Sequence, residues 1–353
     1  MRVDNMLNNK VILITGGTGS FGKKMIQIVL ASYKPKKLIV FSRDELKQFE
    51  MAQKWSPEKY PCLEYILGDV RDVSRLKHVF KGVDYVIHTA ALKQVPAAEH
   101  NPEEYIKTNV LGAMNIIEAA FDNHVKKVIA LSTDKACNPI NLYGATKLCA
   151  DKLFVAANVY GSSTDKDLVK NDSTKFVVVR YGNVLGSRGS VIPFFKEKAA
   201  TGILPITDSR MTRFWITLDQ AVHFVLESLE NSFGGEIFVP RIPSMKIVDL
   251  AKAIAPSAKQ EVVGIRPGEK LHEILISEGE ARNTVTFKDC YVVYPRAMAV
   301  RNSSGKPCPE GFQYTSDTNP DWLTVKDLKK LVEQIADDYS IEKSRWSMGD
   351  VRK

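Results

Sequence analysis

Two side chains four residues apart, Tyr143 and Lys147, have the types and the spacing needed for proton transfer. On a helix this spacing places both on one face, where the lysine ammonium favours the phenolate and lowers the pKa of the phenol. Such a tyrosine can accept the proton of a hydroxyl group while hydride leaves the same carbon. The pair therefore predicts oxidation of an alcohol coupled to hydride transfer.

A second group, Thr133, Asp134 and Lys135, precedes this pair in the chain. An acid and an amine are more than a simple alcohol dehydrogenase needs, so they predict proton chemistry at a neighbouring carbon. To act as a base the lysine must be a neutral amine, and to act as an acid the aspartate must be a protonated carboxyl. Burial favours both neutral forms, whereas ion pairing opposes them. We expect the two groups to titrate as a coupled unit. The alternative, a mere ion pair at the end of a strand, stays open.

A glycine-rich turn predicts the site of the hydride acceptor. The apolar run 11–15 has the pattern of a buried strand, and a helical pattern begins at Lys23. Between them, Gly16, Gly19 and Gly22 allow a tight turn and close approach of the backbone to a pyrophosphate at the helix N-terminus. Strand before and helix after make this a dinucleotide-binding fingerprint rather than an ordinary turn.

The end of the next strand, 37–41, bears on which dinucleotide binds. NAD enzymes often have a carboxylate there, whereas Ser42 and Arg43, with Lys47 one helical turn on, can hold a 2′-phosphate. We therefore expect NADP rather than NAD. Asp44 keeps NAD open, and Ser42 or Asp44 could instead cap the following helix.

Strands alternate with helices through about residue 180, which predicts a doubly wound parallel α/β sheet with ligands at the carboxyl ends of its strands. Asp69 follows the third strand and is placed to meet the adenine amino group, or else to cap a helix. The small residues Ala90 and Ala91 follow the fourth strand, where the nicotinamide ribose would pass. His88 is expected to be a satisfied histidine at a strand end rather than a catalyst.

The pattern changes beyond Tyr181, where arginines stand in glycine- or proline-containing loops. Arginines in ordered loops suit bidentate phosphate recognition, although each could also form a surface salt bridge. We expect residues 1–182 to form an NADP-binding Rossmann domain, rejoined by the chain at about 215–240. Residues 183–353 are expected to form mainly a smaller C-terminal substrate-binding cap that grips a nucleotide diphosphate.

Composition favours a cytoplasmic enzyme. Of the 353 residues, 44% are apolar, enough for a substantial core, and the five cysteines contain no C-x-x-C pair, so no metal site is expected. The polar N-terminus and the lack of a long apolar segment predict neither a signal peptide nor a membrane span. The net charge of +8 is spread among acidic residues without a basic, aromatic block, so no nucleic-acid partner is expected.

Several of these stretches together resemble the extended short-chain dehydrogenase/reductases over essentially the whole chain. Within that group the chain is similar to the inverting UDP-N-acetylglucosamine 4,6-dehydratases of the pseudaminic acid pathway. The likeness is carried by the segments 15–22, 42–48, 91–96, 131–147, 180–195, 205–215 and 264–273. The Thr-Asp-Lys sequence is the most specific, since retaining dehydratases typically have Thr-Asp-Glu there and 4-epimerases usually only the Ser/Thr.

The resemblance implies a mechanism. Tyr143 takes the proton of the 4-hydroxyl, helped by Thr133 and Lys147, as hydride moves to tightly bound NADP. Lys135 removes the C5 proton, Asp134 protonates the departing 6-hydroxyl, and hydride returns to C6. The cofactor contacts expected from pattern and resemblance are Gly16, Thr18, Gly19, Ser20, Phe21, Gly22, Ser42, Arg43, Lys47, Asp69, Val70, Ala90, Ala91, Lys93, Tyr143 and Lys147. The resemblance also implies the substrate contacts Lys93, Asn183, Arg188, Thr207, Met211, Arg213, Arg266 and Glu269.

The expected partner is a nucleotide sugar, UDP-N-acetylglucosamine, and relatives form homo-oligomers, often hexamers. Two other functions stay open. A UDP-sugar 4-epimerase would need Tyr143 and Lys147 but neither Asp134 nor Lys135. A non-catalytic NADP-binding regulatory protein would have no use for an activated phenol.

Overall fold

A ten-stranded sheet forms the centre of the first of two compact units into which the chain divides. The computed structural model describes residues 6–160, 173–186, 191–295 and 303–344. The first unit comprises residues 1–181, 218–241 and 274–314, and the second comprises 182–217, 242–273 and 315–353. The strands of the large sheet are β1 (Val11–Thr15), β2 (Lys37–Ser42), β3 (Leu63–Leu67), β4 (Tyr85–His88), β5 (Lys127–Thr133), β6 (Lys175–Tyr181), β10 (Ile237–Pro240), β14 (Thr284–Thr286), β15 (Cys290–Val293) and β16 (Lys306–Pro307).

The order of these strands is β16-β14-β15-β10-β6-β5-β4-β1-β2-β3. Strands β3 to β10 in this order are parallel, and β15, β14 and β16 extend the sheet antiparallel to their neighbours. The order reverses between β1 and β4, which is where doubly wound sheets bind ligands beyond their carboxyl ends. The predicted doubly wound α/β fold is confirmed.

Helices of the first unit pack on the sheet because its strands are apolar on both faces. β1 and β6 are buried almost throughout, as expected for parallel strands covered on both sides. Helix contacts join α3 to α6, α6 to α7, and α1 to α9. The helical elements are α1 (Ser20–Ser32), α2 (Glu45–Lys54), α3 (Val73–Val79), α4 (Val95–His100), α5 (Pro102–Tyr105), a π-helix (Ile106–Leu111), α6 (Gly112–Asp122), a 3₁₀ turn (Asp134–Ala136), α7 (Leu142–Tyr160), α9 (Leu218–Asn231) and α11 (Glu278–Ala281).

The second unit has its own apolar core, formed by Phe195, Leu204, Trp215, Met245 and Leu250 among others. Its strands are β7 (Asn183–Val184), β8 (Ile203–Ile206), β9 (Thr212–Ile216), β11 (Ser244–Lys246) and β12 (Lys259–Val262), and its helices are α8 (Val191–Ala199), α10 (Ile247–Ile254) and α12 (Val325–Ser344). β11, β9 and β7 form one sheet, and β12 pairs with β8. The remaining named strands are two short ones, β13 (Ile274–Ile276), which belongs to the first unit, and β17 (Tyr314–Thr315).

None of the helices in the described ranges has both the length and the apolar character that a bilayer span requires.

Candidate active site

The turn between β1 and α1 has the geometry of a pyrophosphate cradle. Gly16 has a φ of +65°, and a Cβ there would lie 2.9 Å from the backbone of Ala90. A Cβ on Gly22 would lie 2.4 Å from the carbonyl oxygen of Gly17, so only glycine lets the helix approach the turn. Helix α1 begins after Gly19 without a side-chain cap. Its first N–H groups therefore point to where a pyrophosphate would bind, and the turn fits a dinucleotide.

The carboxyl end of β2 combines a helix cap with basic side chains. Asp44 is the N-cap of α2, accepting a hydrogen bond from the Lys47 backbone N–H at 3.0 Å, and its carboxylate also pairs with the Lys47 ammonium. Ser42 is buried and bonded to Gln48 at 3.0 Å, whereas the Arg43 side chain is 55% exposed. Capping explains Asp44, and Arg43 is the cation best placed to meet an exposed phosphate.

Asp69 follows β3 and is bonded to the guanidinium of Arg71 at 2.8 and 3.0 Å. It does not cap the next helix, because Asp72 is the N-cap of α3. Arg43 lies 3.8 Å from the same carboxylate. The side chains proposed for the adenosine end are therefore neighbours, and Val70 beside them is buried.

The end of β4 is held to β1 through Thr15. The Thr15 hydroxyl lies 2.8 Å from His88 Nδ1 and accepts hydrogen bonds from the backbone N–H groups of Thr89 and Ala90. Burial, and then the charge of Lys147, lowers the pKa of His88 to about 3. His88 is thus a buried, neutral and hydrogen-bonded residue, as expected for a structural histidine.

The turn after β5 brings Thr133, Asp134 and Lys135 into mutual contact. The Thr133 hydroxyl donates to Asp134 Oδ1 at 2.7 Å, and Lys135 Nζ lies 3.0 Å from the same oxygen. The Asp134 side chain is 1% exposed, and its Oδ2 has no hydrogen-bond partner among the described residues. Asp134 and Lys135 are therefore in contact. Moving one proton along this bond, from the ammonium to the carboxylate, converts the ion pair into the neutral amine and carboxylic acid that acid–base chemistry needs.

Tyr143 lies at the start of α7, close to this turn. Burial raises the pKa of Tyr143 to about 12, while Lys135 and a hydrogen bond with Thr133 lower it and Asp134 raises it. The sequence argument considered only the charge of Lys147 and expected a lowered pKa for the phenol. In the folded chain burial outweighs the cations, and Lys135 is the cation that lowers this pKa most.

Lys147 is buried one turn further along α7. Its ammonium donates to the Leu131 carbonyl oxygen on β5 at 2.7 Å. Burial lowers the pKa of Lys147, and the nearby carboxylate of Asp151 opposes this. Sequence reasoning missed Asp151, although an acid four residues after Lys147 lies on the same helix face.

Lys93 also lies near the turn. Burial lowers the pKa of Lys93, and the charge of Lys135 lowers it further. Asn109, a residue of the π-helix that sequence reasoning also missed, fixes the loop that carries Lys93. It accepts from the Leu92 N–H at 2.9 Å and donates to the Leu92 carbonyl at 3.0 Å and to Thr146 at 3.1 Å. A π-helix often marks a functional position, but no sequence pattern predicted this one.

Most of the predicted substrate contacts lie in the second unit, and the structure gives them different environments. Arg213 is buried, donates to the Thr212 and Leu271 carbonyls at 2.7 and 3.1 Å, and lies 3.5 Å from Glu273. Met211 is 2% exposed and part of the apolar core.

The other members of this set are polar residues in varied surroundings. Asn183 Oδ1 and Glu269 Oε2 are buried without a partner among the described residues, and Arg266 lies 3.9 Å from Glu269. Thr207 is half-buried, and Arg188 lies outside the described residues. Two orphaned oxygens in this unit are consistent with a polar ligand.

Comparisons with known proteins agree with this geometry. The profile of a family described as "Polysaccharide biosynthesis protein" matches residues 12–295. The UDP-N-acetylglucosamine 4,6-dehydratase (inverting) of Campylobacter jejuni subsp. jejuni serotype O:2 is 54% identical over 339 residues, covering 93% of this chain and 98% of the relative. A UDP-glucose 4-epimerase of Rickettsia conorii is 42% identical over 294 residues, covering 81% of this chain and 83% of the relative.

A solved structure, Pen from Bacillus thuringiensis, superposes with a TM-score of 0.83 at 34% identity and covers 93% of this chain and 98% of its own. The similarity thus extends over both units and not over the dinucleotide fingerprint alone. The chain therefore belongs to the polysaccharide biosynthesis protein family and, among the extended short-chain dehydrogenase/reductases, to the inverting UDP-N-acetylglucosamine 4,6-dehydratases.

Proposed function

We propose that this protein catalyses the C5-inverting 4,6-dehydration of UDP-N-acetylglucosamine, giving UDP-2-acetamido-2,6-dideoxy-β-L-arabino-hexos-4-ulose. The observation that carries the proposal is the mutual contact of Thr133, Asp134 and Lys135 beside Tyr143, whose phenol is hydrogen-bonded to Thr133 and feels the charges of the other two. An acid, an amine and a phenol in one cluster match three of the four proton transfers of this reaction, the fourth being the return of a proton to C5. The inverting dehydratase of Campylobacter jejuni, 54% identical, supports it.

The residues divide the proton transfers among them. Tyr143 accepts the proton of the 4-hydroxyl, with Thr133 orienting the phenol, and the resulting 4-ketone acidifies the C5–H bond. Lys135 removes the C5 proton, and Asp134 protonates the departing 6-hydroxyl. A proton delivered to the opposite face of C5 then inverts that centre.

A nicotinamide cofactor supplies the hydride chemistry when bound, accepting hydride from C4 and returning it to C6. The turn at Gly16, the uncapped start of α1 and Lys147 would hold it. Its positive ring would also lower the pKa of Tyr143 from the raised value that burial gives, which makes the phenol a usable base only in the complex.

The finer parts of the proposal rest on single features. The cofactor is proposed to be NADP because Arg43 and Lys47 are basic and Arg43 is exposed. The first unit would hold the cofactor, and the second would supply nucleotide contacts from Asn183, Thr207, Arg213, Arg266 and Glu269. We also propose that the protein forms a homo-oligomer and acts in pseudaminic acid synthesis, on the ground of family resemblance. The proposed cytoplasmic location rests on the cysteine content.

Incubation with UDP-N-acetylglucosamine tests the reaction directly. Mass spectrometry should detect loss of water, and proton couplings around the ring should give the inverted C5 configuration. A 4-epimerase, the activity named for the Rickettsia conorii relative, would instead conserve mass. In heavy water, dehydration incorporates deuterium at C5, whereas epimerisation at C4 does not.

The variant Lys135→Ala tests the assignment of the base. We expect dehydration and C5 solvent exchange to fall by at least about 10²-fold, the usual contribution of a general base, while the fold survives. Lys126→Ala is the matched control, because Lys126 pairs with Asp84 at 2.7 Å just before β5 begins, at the opposite end of that strand. Normal dehydration by Lys135→Ala would rule out Lys135 as the base.

A further inference from the structure

The catalytic turn is held on both sides by carboxylates, of which Asp151 is buried and Glu280 is 17% exposed. Just before it, the Ser132 hydroxyl donates to Asp151 Oδ2 at 2.8 Å. Just after it, the Cys137 thiol lies 3.6 Å from Glu280 Oε2. These two carboxylates come from α7 and α11, which are far apart in the sequence. Thr133, Asp134 and Lys135 thus lie between two fixed points.

One arginine joins these two carboxylates. The Arg180 side chain, on β6, is fully buried and contacts both oxygens of Glu280 at 3.1 Å. Its Nη2 also lies 3.4 Å from Asp151 Oδ2, and its Nη1 donates to the Leu275 carbonyl at 3.0 Å. A bidentate arginine–carboxylate contact has a defined geometry, so the two carboxylates cannot shift independently.

The α11 end of this arrangement is itself anchored. Glu280 is the third residue of α11 and forms a capping box with Ser277, whose N–H and hydroxyl lie 3.1 and 3.0 Å from Glu280 Oε2. The same carboxylate therefore caps a helix, binds Arg180 and meets Cys137.

The charges alternate along the cluster. Lys147, Asp151, Arg180 and Glu280 follow one another as basic, acidic, basic and acidic side chains. Burial raises the pKa of Asp151, while Arg180 and Lys147 lower it. Burial also raises the pKa of Glu280, but Arg180 and the hydrogen bonds from Ser277 bring it below its ordinary value. Because arginine does not deprotonate in proteins, it requires its carboxylate partners here.

Stability alone does not account for such a cluster. Well-packed apolar residues of similar volume commonly stabilise a core as well as a buried ion network does, or better. What charges add is fixed geometry, and here that geometry is imposed on the residues next to the acid and the base.

We propose that Asp151, Arg180 and Glu280 form a clamp that positions the turn carrying Thr133, Asp134 and Lys135. These three are positioning residues, since they act through Ser132 and Cys137 and not on the sugar. The inference rests on the proposed dehydration for its kinetic consequence, but the clamp itself is a statement about the folded chain.

Two variants separate the effect of the Asp151 charge from the effect of its contact with Ser132. Asp151→Asn keeps the volume and an acceptor for Ser132 but removes the charge that faces Arg180. Ser132→Ala removes only the contact of the turn with Asp151 and leaves the ion network intact. Asp84→Asn is the control, because Asp84 is another paired carboxylate of the first unit, bonded to the Val11 N–H at 2.9 Å and to Lys126.

The expected result is a selective loss of kcat. Misplacement of reacting groups by about 1 Å can cost about 10²-fold in rate, so we expect kcat to fall by about 10- to 100-fold in Asp151→Asn and several-fold in Ser132→Ala. KM for UDP-N-acetylglucosamine should stay within about threefold, because both side chains are buried in the first unit and bonded to each other. Hydrogen exchange at the amides of residues 133–137 should accelerate in both variants, and the control should match the wild type in kcat and exchange.

Two results would overturn the clamp: wild-type kcat with unchanged exchange in Ser132→Ala, or a rise in KM that accounts for the whole loss. If Asp151→Asn does not fold, Ser132→Ala still decides the matter. The exchange measurement also separates this inference from the proposed reaction. If the wild-type protein does not dehydrate the sugar, the proposed reaction is refuted. The clamp still stands in that case if hydrogen exchange of the turn is faster in both variants than in the wild type.

Discussion

Replacing Gly144 by alanine should damage catalysis more than folding. Gly144 follows Tyr143 in α7, where the helix lies directly against the catalytic turn. A Cβ at this position would lie 2.2 Å from the carbonyl oxygen of Lys135 and 3.0 Å from Pro139 Cβ. The first contact is with backbone, so it cannot be relieved by a side-chain rotation.

The magnitudes favour a folded but impaired enzyme. Overpacking of this kind costs about 1–3 kcal/mol, whereas alanine in place of glycine inside a helix returns about 1 kcal/mol. A net loss of about 0–2 kcal/mol leaves most domains folded. Relief of the clash requires the turn and α7 to separate by about 1 Å, which displaces Lys135 relative to Tyr143 and should lower kcat by about 10²-fold.

Turnover of UDP-N-acetylglucosamine and thermal unfolding measured on the same preparation test this. Gly279→Ala is the control, since Gly279 is a helical glycine of α11 with nothing within 4 Å of the added Cβ. We expect the control to keep wild-type kcat and to be equally or slightly more stable. Full activity of Gly144→Ala at unchanged stability would refute the described contact between the helix and the turn.

Two further predictions concern the cofactor and pH. Arg43→Ala should weaken NADP binding by about tenfold and leave NAD binding nearly unchanged, as expected for one charge-assisted contact to an exposed phosphate. Calorimetric titration measures both affinities. If the wild type binds NAD tenfold more tightly than NADP, the proposed preference for NADP is wrong. The lowered pKa of His88, about 3 against an ordinary 6.5, means that only the unfolded chain takes up this proton between those values. Stability should therefore fall as the pH falls through this window, by roughly 2 kcal/mol from pH 6.5 to 4.5 for this group. Urea midpoints should show a smaller loss in His88→Asn, and equal losses would exclude His88 as the source.

The parallel part of the sheet was predictable because its strands are buried on both faces. Such strands are continuous apolar runs, as in 128–131 and 176–179, and the glycine turn after β1 fixes where the first helix begins. The antiparallel strands β14, β15 and β16 were not predicted. Their pairing with β10 joins segments far apart in the chain, and pairing of that kind leaves no local pattern.

In the candidate site, too, some features were predictable from the sequence and others were not. The types and spacing of Tyr143 and Lys147, and the Thr133–Lys135 sequence, predicted which groups would react, and the structure places these residues close together. The direction of the pKa shift at Tyr143 was wrong, because it depends on how deeply the folded chain buries the phenol. Asp44 as a helix cap was one of the alternatives that the sequence left open, and capping geometry decided it.

By itself the sequence predicted candidate reactive groups and a glycine turn for a dinucleotide, because residue type and short-range spacing on one helix or one turn are local properties. Only the tertiary structure decided how those groups are held. Asp151, Arg180 and Glu280 come from a helix, a strand and a short helix that meet only in the folded chain. Burial and charge pairing depend on such long-range neighbours, and they set the protonation and placement of the residues that the sequence could name.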